Sequence, residues 1–175
     1  MPNWCFNQIR FHGNENEISK IVQKVNEAGS ILESLCPIGE WDYNKANATW
    51  GTKWSDQETY MQQDGNSAYA NIETAWGPPI DGIVKASANY PMIVMTGWYH
   101  ESGMAFAGYF VALNGELLAD EAGDYPEVEQ KDGEDEEEYF ERYSEKENEF
   151  LTEISDELDK FVENVQITIP KARIL

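Results

Sequence analysis

Between residues 115 and 163 the chain carries 21 acidic side chains against 4 basic ones, a local charge of −17, whereas residues 1–114 hold 12 acids and 6 bases. That asymmetry divides the chain. Residues 1–118 are expected to form the folded domain, and residues 119–175 an acidic linker, helix and terminal strand packed on it. The whole chain stands at −21, from 33 acids and 12 bases. Such a field repels phosphate backbones and anionic lipid surfaces, so direct nucleic-acid binding and membrane association are disfavoured. The electrostatically natural partner is a protein with a basic surface, including one that itself binds nucleic acid.

A chain of 175 residues fits one domain with an appended segment, and its six Trp, nine Tyr and seven Phe supply large ring surfaces for a core. Cys5 and Cys36 have neither a CxxC spacing nor a paired histidine motif, which argues against a disulfide framework or a zinc site. The start, Met1-Pro2-Asn3-Trp4, has no basic or apolar leader pattern, and no stretch approaches a spanning helix, so a cytoplasmic protein is expected.

Residues 5–12 place Cys5, Asn7, Ile9 and Phe11 on one face, the alternation of a half-buried strand ended by Gly13. Asn14 or Asn16 can cap a following helix with Ile18, Ile21, Val22 and Val25 at helical spacing and Gly29 as its stop. Residues 30–48, punctuated by Pro37, Gly39 and Asn44, read mostly as loop with a short strand near Ile31 to Leu35. Trp50 to Trp54 and Ser67 to Trp76 read as a hairpin joined across Gln63-Asp64-Gly65-Asn66. Pro78-Pro79 opens a second helix with Ile80, Ile83, Val84 and Ser87 on its buried side. Met92 to His100 and Met104 to Leu113 form a second hairpin about Ser102-Gly103. The order β-α-β-β-α-β with one extra strand is a split βαβ arrangement, an α+β, ferredoxin-like sheet with both helices on one face.

Beyond Asn114-Gly115 an acidic linker leads to a helix over Glu134 to Glu163, where Phe150, Leu151, Ile154, Leu158, Phe161 and Val162 make an apolar stripe that should dock. Val165 to Ile169 alternates again before Pro170 and reads as a closing edge strand.

Four motifs in order resemble the YubB-like family of bacteriophage and conjugative-plasmid proteins, which has a ferredoxin-like N-terminal domain. They are Pro2-Asn3-Trp4-Cys5, Trp50-Gly51-Thr52-Lys53-Trp54, Thr74-Ala75-Trp76-Gly77-Pro78-Pro79, and Tyr99-His100-Glu101-Ser102-Gly103 followed by Phe106 and Gly108. Gly39 stands where the family tends to carry a second proline, and Ser55 where an acidic residue is commoner. The resemblance covers residues 1–118; the acidic segment after Gly115 is where divergence is expected. It implies context, the accessory cargo of a mobile element, rather than a chemistry.

No catalytic residue, metal site or cofactor is implied. His100 beside Glu101 has no nucleophile motif near it, and His12 is the only other histidine. Cys5, central on an apolar strand face, reads as core rather than as an activated thiol. Asp132-Gly133-Glu134-Asp135 lacks the spacing of a calcium loop. Two binding readings remain. In the first, Trp50, Lys53, Trp54 and Trp76, with Trp4 and Glu101 near them, line a pocket for a planar or anionic small molecule or nucleotide. Lys53 is equally explained as a stem packed on rings, its ammonium in water or paired with Glu101.

In the second reading, Glu134, Asp135, Glu136, Glu137, Glu138, Glu141, Glu145 and Glu149 occupy phosphate-binding sites on a host protein, a nucleic-acid-binding defence factor. From Asp132 to Glu163 the chain has 15 acids and 3 bases. As one helix that is about one net charge per 4 Å, against about 3.4 Å on a single DNA strand and about 1.7 Å on a duplex. The helix can imitate one strand; a second copy in a homodimer, or other acids of the fold, would have to supply the rest. The same acids also fit a solvated face, or a run left unfolded by self-repulsion around Lys131 to Glu138.

Overall fold

The computed structural model describes residues 3–168, with side chains through residue 165. Strand β1, Trp4–His12, buries Cys5, Asn7, Ile9 and Phe11 completely, as the alternation requires. Helix α1, Glu15–Ala28, starts where the Asn14 side chain accepts the N–H groups of Asn16 and Glu17. It stops at Gly29, whose φ of 68° is open to glycine at no steric cost. Ile18, Ile21 and Val25 are its buried face.

Two further helices follow where a loop and a short strand were expected: α2, Ile31–Leu35, and α3, Tyr43–Trp50. A five-residue apolar run fits a strand or a helical turn equally well by pattern, and here caps decide it. Ser30 caps α2 and Asp42 caps α3, while Gly51 at φ 77° ends α3. Trp50 is therefore the last residue of a helix, not the first of a strand. The hairpin turn at Gly65-Asn66 is where the sequence put it, but its first arm is β2, Gln62–Asp64, instead of Trp50 to Trp54; its second is β3, Ser67–Ala75.

Behind Pro78-Pro79 comes α4, Ile80–Ser87, then β4, Val94–Glu101, and β5, Phe106–Leu113. The expected acidic linker begins instead as a sixth strand, β6, Glu116–Asp124, paired antiparallel with β5. Asn114 at φ 52° and Gly115 at φ 80° make the two-residue turn that starts it. Its acids sit on an exposed outer edge, where charge discourages pairing with another chain, and a bulge at Val111/Ala112 shifts its register. The long helix α5, Glu136–Thr168, closes the described chain. The terminal strand expected from Val165 is helical through Thr168; Ile169 lies outside the described residues.

The sheet order is β2-β3-β1-β4-β5-β6, antiparallel throughout. The first four positions are the split βαβ order of a ferredoxin-like sheet, with α2 and α3 inserted before β2 and the β5–β6 hairpin added at the β4 edge. One face packs against α1 to α4 around Ile9, Phe11, Trp50 and Phe110. On the other face α5 lies across β4 and β5, setting Ile154, Leu158 and Val162 against Val94, Tyr109 and Val111. The stripe expected from the sequence thus docks as a second core through Phe150, Ile154, Leu158, Phe161 and Val162, without Leu151. Because α5 covers only that half, the same face of β1 and β3 stays open, with Trp4 49% and Tyr69 38% exposed.

Candidate binding surfaces

Gly51 turns the chain out of α3, and the segment after it crosses the end of β3, where Thr52 Oγ1 donates to Ala75 O and accepts the Ala75 N–H. This anchor sets Lys53 and Trp54 beside Trp76. The Lys53 ammonium lies 4.1 Å from the Trp54 ring centroid, 5.7 Å from Trp76 and 6.0 Å from Tyr43, so three rings share one cation. Trp76, half exposed at φ 69°, is held by its N–H to Asn3 O at 2.9 Å, and the Trp41 indole donates to Lys53 O at 3.1 Å.

Lys53, Trp54 and Trp76 therefore converge as the sequence suggested. Trp50 and Glu101 do not join them. Trp50 is fully buried, its indole N–H donating to Cys36 O at 2.7 Å. Glu101 is 3% exposed and closes the β4–β5 turn, accepting the Gly103 and Met104 N–H groups, each at 2.7 Å, and the Asn3 amide at 3.3 Å. Tyr43 was missed because the helix that presents it was read as loop.

Trp54 also walls a second feature. On the open half of the sheet a groove of about 640 Å³ is lined by Trp4, Phe6, Trp54, Gln57, Asn71 and Glu73 among others. Trp4 and Trp54 stand 6.0 Å apart with ring planes 32° from parallel. Among the described residues that line it, Glu73 is the charged one and none is basic.

The acidic helix divides its carboxylates between internal work and display. Asp135 Oδ1 caps α5 by accepting the Glu138 N–H at 2.9 Å. Glu134 accepts two guanidinium N–H bonds from Arg142, at 2.7 and 2.9 Å, and the Lys131 N–H. The Arg142 bonds, then the Lys131 N–H, hold its carboxyl down at about 2. Glu149 pairs with Lys146 one turn away. Glu136, Glu137, Glu138, Glu141 and Glu145 are exposed and make no ion pair among the described residues. At about 100° per residue, Glu138, Glu141, Glu145 and Glu149 fall on the side away from Ile154 and Leu158, while Glu136 and Glu137 turn elsewhere. The exposed Glu116, Asp120, Glu121 and Asp124 of β6 add to the acidic surface.

A family profile described as the ferredoxin-like domain in Api92-like protein matches residues 49–150. The chain belongs to the Api92-like family. The match runs from the end of α3 through β6 and into the first half of α5; it bears out a ferredoxin-like domain and does not extend to the YubB-like resemblance. Among solved structures, the protein api92 from Yersinia pseudotuberculosis is similar at 19% identity with a TM-score of 0.43, over 57% of this chain and 40% of that one. This chain thus spans well under two thirds of that protein's length. No curated protein matches the sequence.

In this Api92-like chain burial shifts several titratable groups from their ordinary pKa values. Cys5 is fully buried, and burial, then Glu101, push its thiol up to about 12. His100 Nδ1 lies 3.2 Å from Tyr125 Oη and packs on Phe6 and Trp98; burial lowers its pKa against the opposing pull of Glu147 and Glu101. Tyr125 is pushed up to about 12, chiefly by burial. His12 Nδ1 meets Ser67 Oγ at 3.0 Å and is likewise lowered by burial. Among the described residues no cluster of three His, Cys, Asp or Glu side chains is placed to hold a metal, and no helix is long and apolar enough to cross a membrane.

Proposed function

We propose that the protein is a non-enzymatic interaction module of a phage or plasmid, which binds a basic host protein along α5 and inhibits it by imitating nucleic acid. The host target in this reading is a nucleic-acid-binding defence factor. One observation carries it: Glu138, Glu141, Glu145 and Glu149 are exposed on one side of the first half of a helix whose second half is fixed to the sheet by Phe150, Ile154, Leu158 and Val162. Carboxylates held at fixed spacing on a docked helix lose little freedom on binding, which favours selective recognition of a matching basic surface. Mobile-element origin rests on the sequence motifs.

The test compares wild type with a variant carrying Gln at 138, 141, 145 and 149 in pull-downs from bacterial lysate at low and high salt, each captured protein then being challenged with duplex DNA. Capture of a DNA-binding protein by wild type only, lost at high salt and displaced by DNA, supports mimicry. Equal capture by the variant, or binding indifferent to salt, sinks it.

The convergence of Tyr43, Trp54 and Trp76 on Lys53 favours a second reading, a site for a planar anionic small molecule or nucleotide with the acidic helix serving solubility. In that case Lys53→Ala removes ligand binding and the glutamine variant keeps it.

A further inference from the structure

The outer arm of the sheet is incomplete. Strand β2 spans only three residues and pairs with Ser67 to Tyr69, and Thr52 occupies the edge at Ala75, so among the described residues no strand pairs with the outer edge of Asn71 to Glu73. Which main-chain groups face that edge follows from one bond: the Ala75 N–H is directed away from β1, to Thr52 Oγ1. In an antiparallel ladder the direction alternates residue by residue, so the N–H and C=O of Glu73 and Asn71 face the same open edge. Their side chains stand on the face that carries Trp4 and Phe6, because Glu73 pairs with Phe6 and Asn71 with Gln8.

The groove lies at this edge. Its carboxylate is Glu73, the described residues that line it include no basic side chain, and Trp4 offers a ring face to a cation, whereas the Trp54 ring already carries the Lys53 ammonium at 4.1 Å. A guanidinium answers all three, being planar, weakly hydrated and able to bond a carboxylate through two N–H groups. A residue added opposite Glu73 in an antiparallel strand projects its side chain to the Trp4 face, where opposite charges pair favourably. Strand addition is itself a common way to bind an extended peptide.

We infer that this groove takes an extended, arginine-bearing segment of a basic protein partner, its backbone paired along Asn71 to Glu73 and its guanidinium laid across Trp4 onto Glu73. The inference deepens the interaction reading above and rests on it for the nature of the partner. It supplies that partner with a specific anchor beside the diffuse charge of α5.

The test titrates the full chain with the capped pentapeptide acetyl-Thr-Val-Arg-Val-Thr-amide, following indole and backbone N–H resonances. The expected result is movement of the Trp4 and Trp54 indole signals and of the Asn71 and Glu73 amides. Replacing arginine by citrulline, its uncharged isostere, should weaken binding at least about tenfold, and Glu73→Gln should do the same. Methylating the peptide nitrogens that face the edge should abolish binding without altering the protein at all. The variant with Gln at 138, 141, 145 and 149 should bind the pentapeptide as wild type does.

Equal affinity for the citrulline peptide, an unmoved Asn71–Glu73 edge, or a response to a neutral sugar in place of the peptide overturns the inference. So does loss of the pentapeptide in the α5 variant with retention in Glu73→Gln. Failure of DNA-displaceable capture with the pentapeptide result intact removes the mimic reading and leaves the groove standing.

Discussion

The carboxylate of Asp56 closes the N-terminus of the helix that begins at Ile31, Oδ2 accepting the Ile31 N–H at 2.7 Å and Oδ1 the Leu32 N–H at 3.0 Å. The hydroxyls of Ser30 and Thr59 donate to the same carboxylate at 2.9 and 2.6 Å, and the residue is 2% exposed. Asp56 therefore pins the loop that carries Lys53 and Trp54 to the far end of α1 and the start of α2.

Asp56→Ala strands four buried donors at once. With one or two recovered by relaxation, the expected cost is about 3 kcal/mol, which for a domain of this size lowers the melting temperature by about 6–12 °C. Asp56→Asn should lose about half as much, because its oxygen still accepts while its amide meets other donors. Urea unfolding of the two variants decides it; a loss under about 0.5 kcal/mol for the alanine would mean the cap carries no weight.

Gly97 sits in the middle of β4, where glycine ordinarily weakens a strand, because the Phe110 ring occupies the space a side chain would take. A Cβ there would stand 2.2 Å from Phe110 Cε1. Gly97→Ala should cost about 2 kcal/mol through displacement of the ring. Gly123→Ala is the control, since its Cβ would meet Phe150 Cζ at 3.2 Å, which a ring at the sheet margin can yield. Thermal melts should rank Gly97→Ala well below Gly123→Ala.

Leu158 is 2% exposed between α5 and the sheet. Leu158→Ala should cost about 2–4 kcal/mol by lost burial and the cavity left behind. Because α5 meets the sheet chiefly through β4 and β5, the loss should be local. Hydrogen exchange should accelerate along α5 while β1 and β3 amides keep their protection; uniform acceleration would show one cooperative unit.

The elements that could be read from the sequence are those whose determinants are local. Cys5 to Phe11 alternate because they line one face of β1, and Asn14 and Gly29 bracket α1 with caps a few residues from the helix. What escaped was decided at a distance. The Ile31–Leu35 turn is helical with help from the Asp56 carboxylate, 25 residues further on and outside any window drawn over the turn. Strand β6 has two adjacent leucines among four acids, so its alternation is lost although its Asn-Gly turn is plain. The aromatic cluster was half visible for the same reason. The Lys53 motif is contiguous, but Tyr43 reaches it through α3, and Trp50 and Glu101 were claimed by the core and by a turn.

The acid response of the fold should come in two phases. His100 has its folded pKa lowered from 6.5 by burial, with Glu147 and Glu101 opposing, and His12 by burial and then Arg10, with Asp159 opposing. A depressed folded pKa means stability is present above the unfolded value and lost as pH falls through the folded one, so the first phase lies below pH 6.5. Glu134, lowered from 4.5 to about 2 by Arg142 and the Lys131 N–H, gives the second, complete above pH 4.5 and lost as pH falls toward 2. Protonating the exposed α5 carboxylates relieves self-repulsion at the same time and works in the opposite direction. The clean observable is therefore a difference. Wild type minus His100→Gln should shrink as pH falls below 6.5, and wild type minus Glu134→Gln should stay constant until about pH 4.5 and then collapse. A difference that held flat across either window would mean that the group is solvated in the folded protein and that the packing drawn around it is wrong.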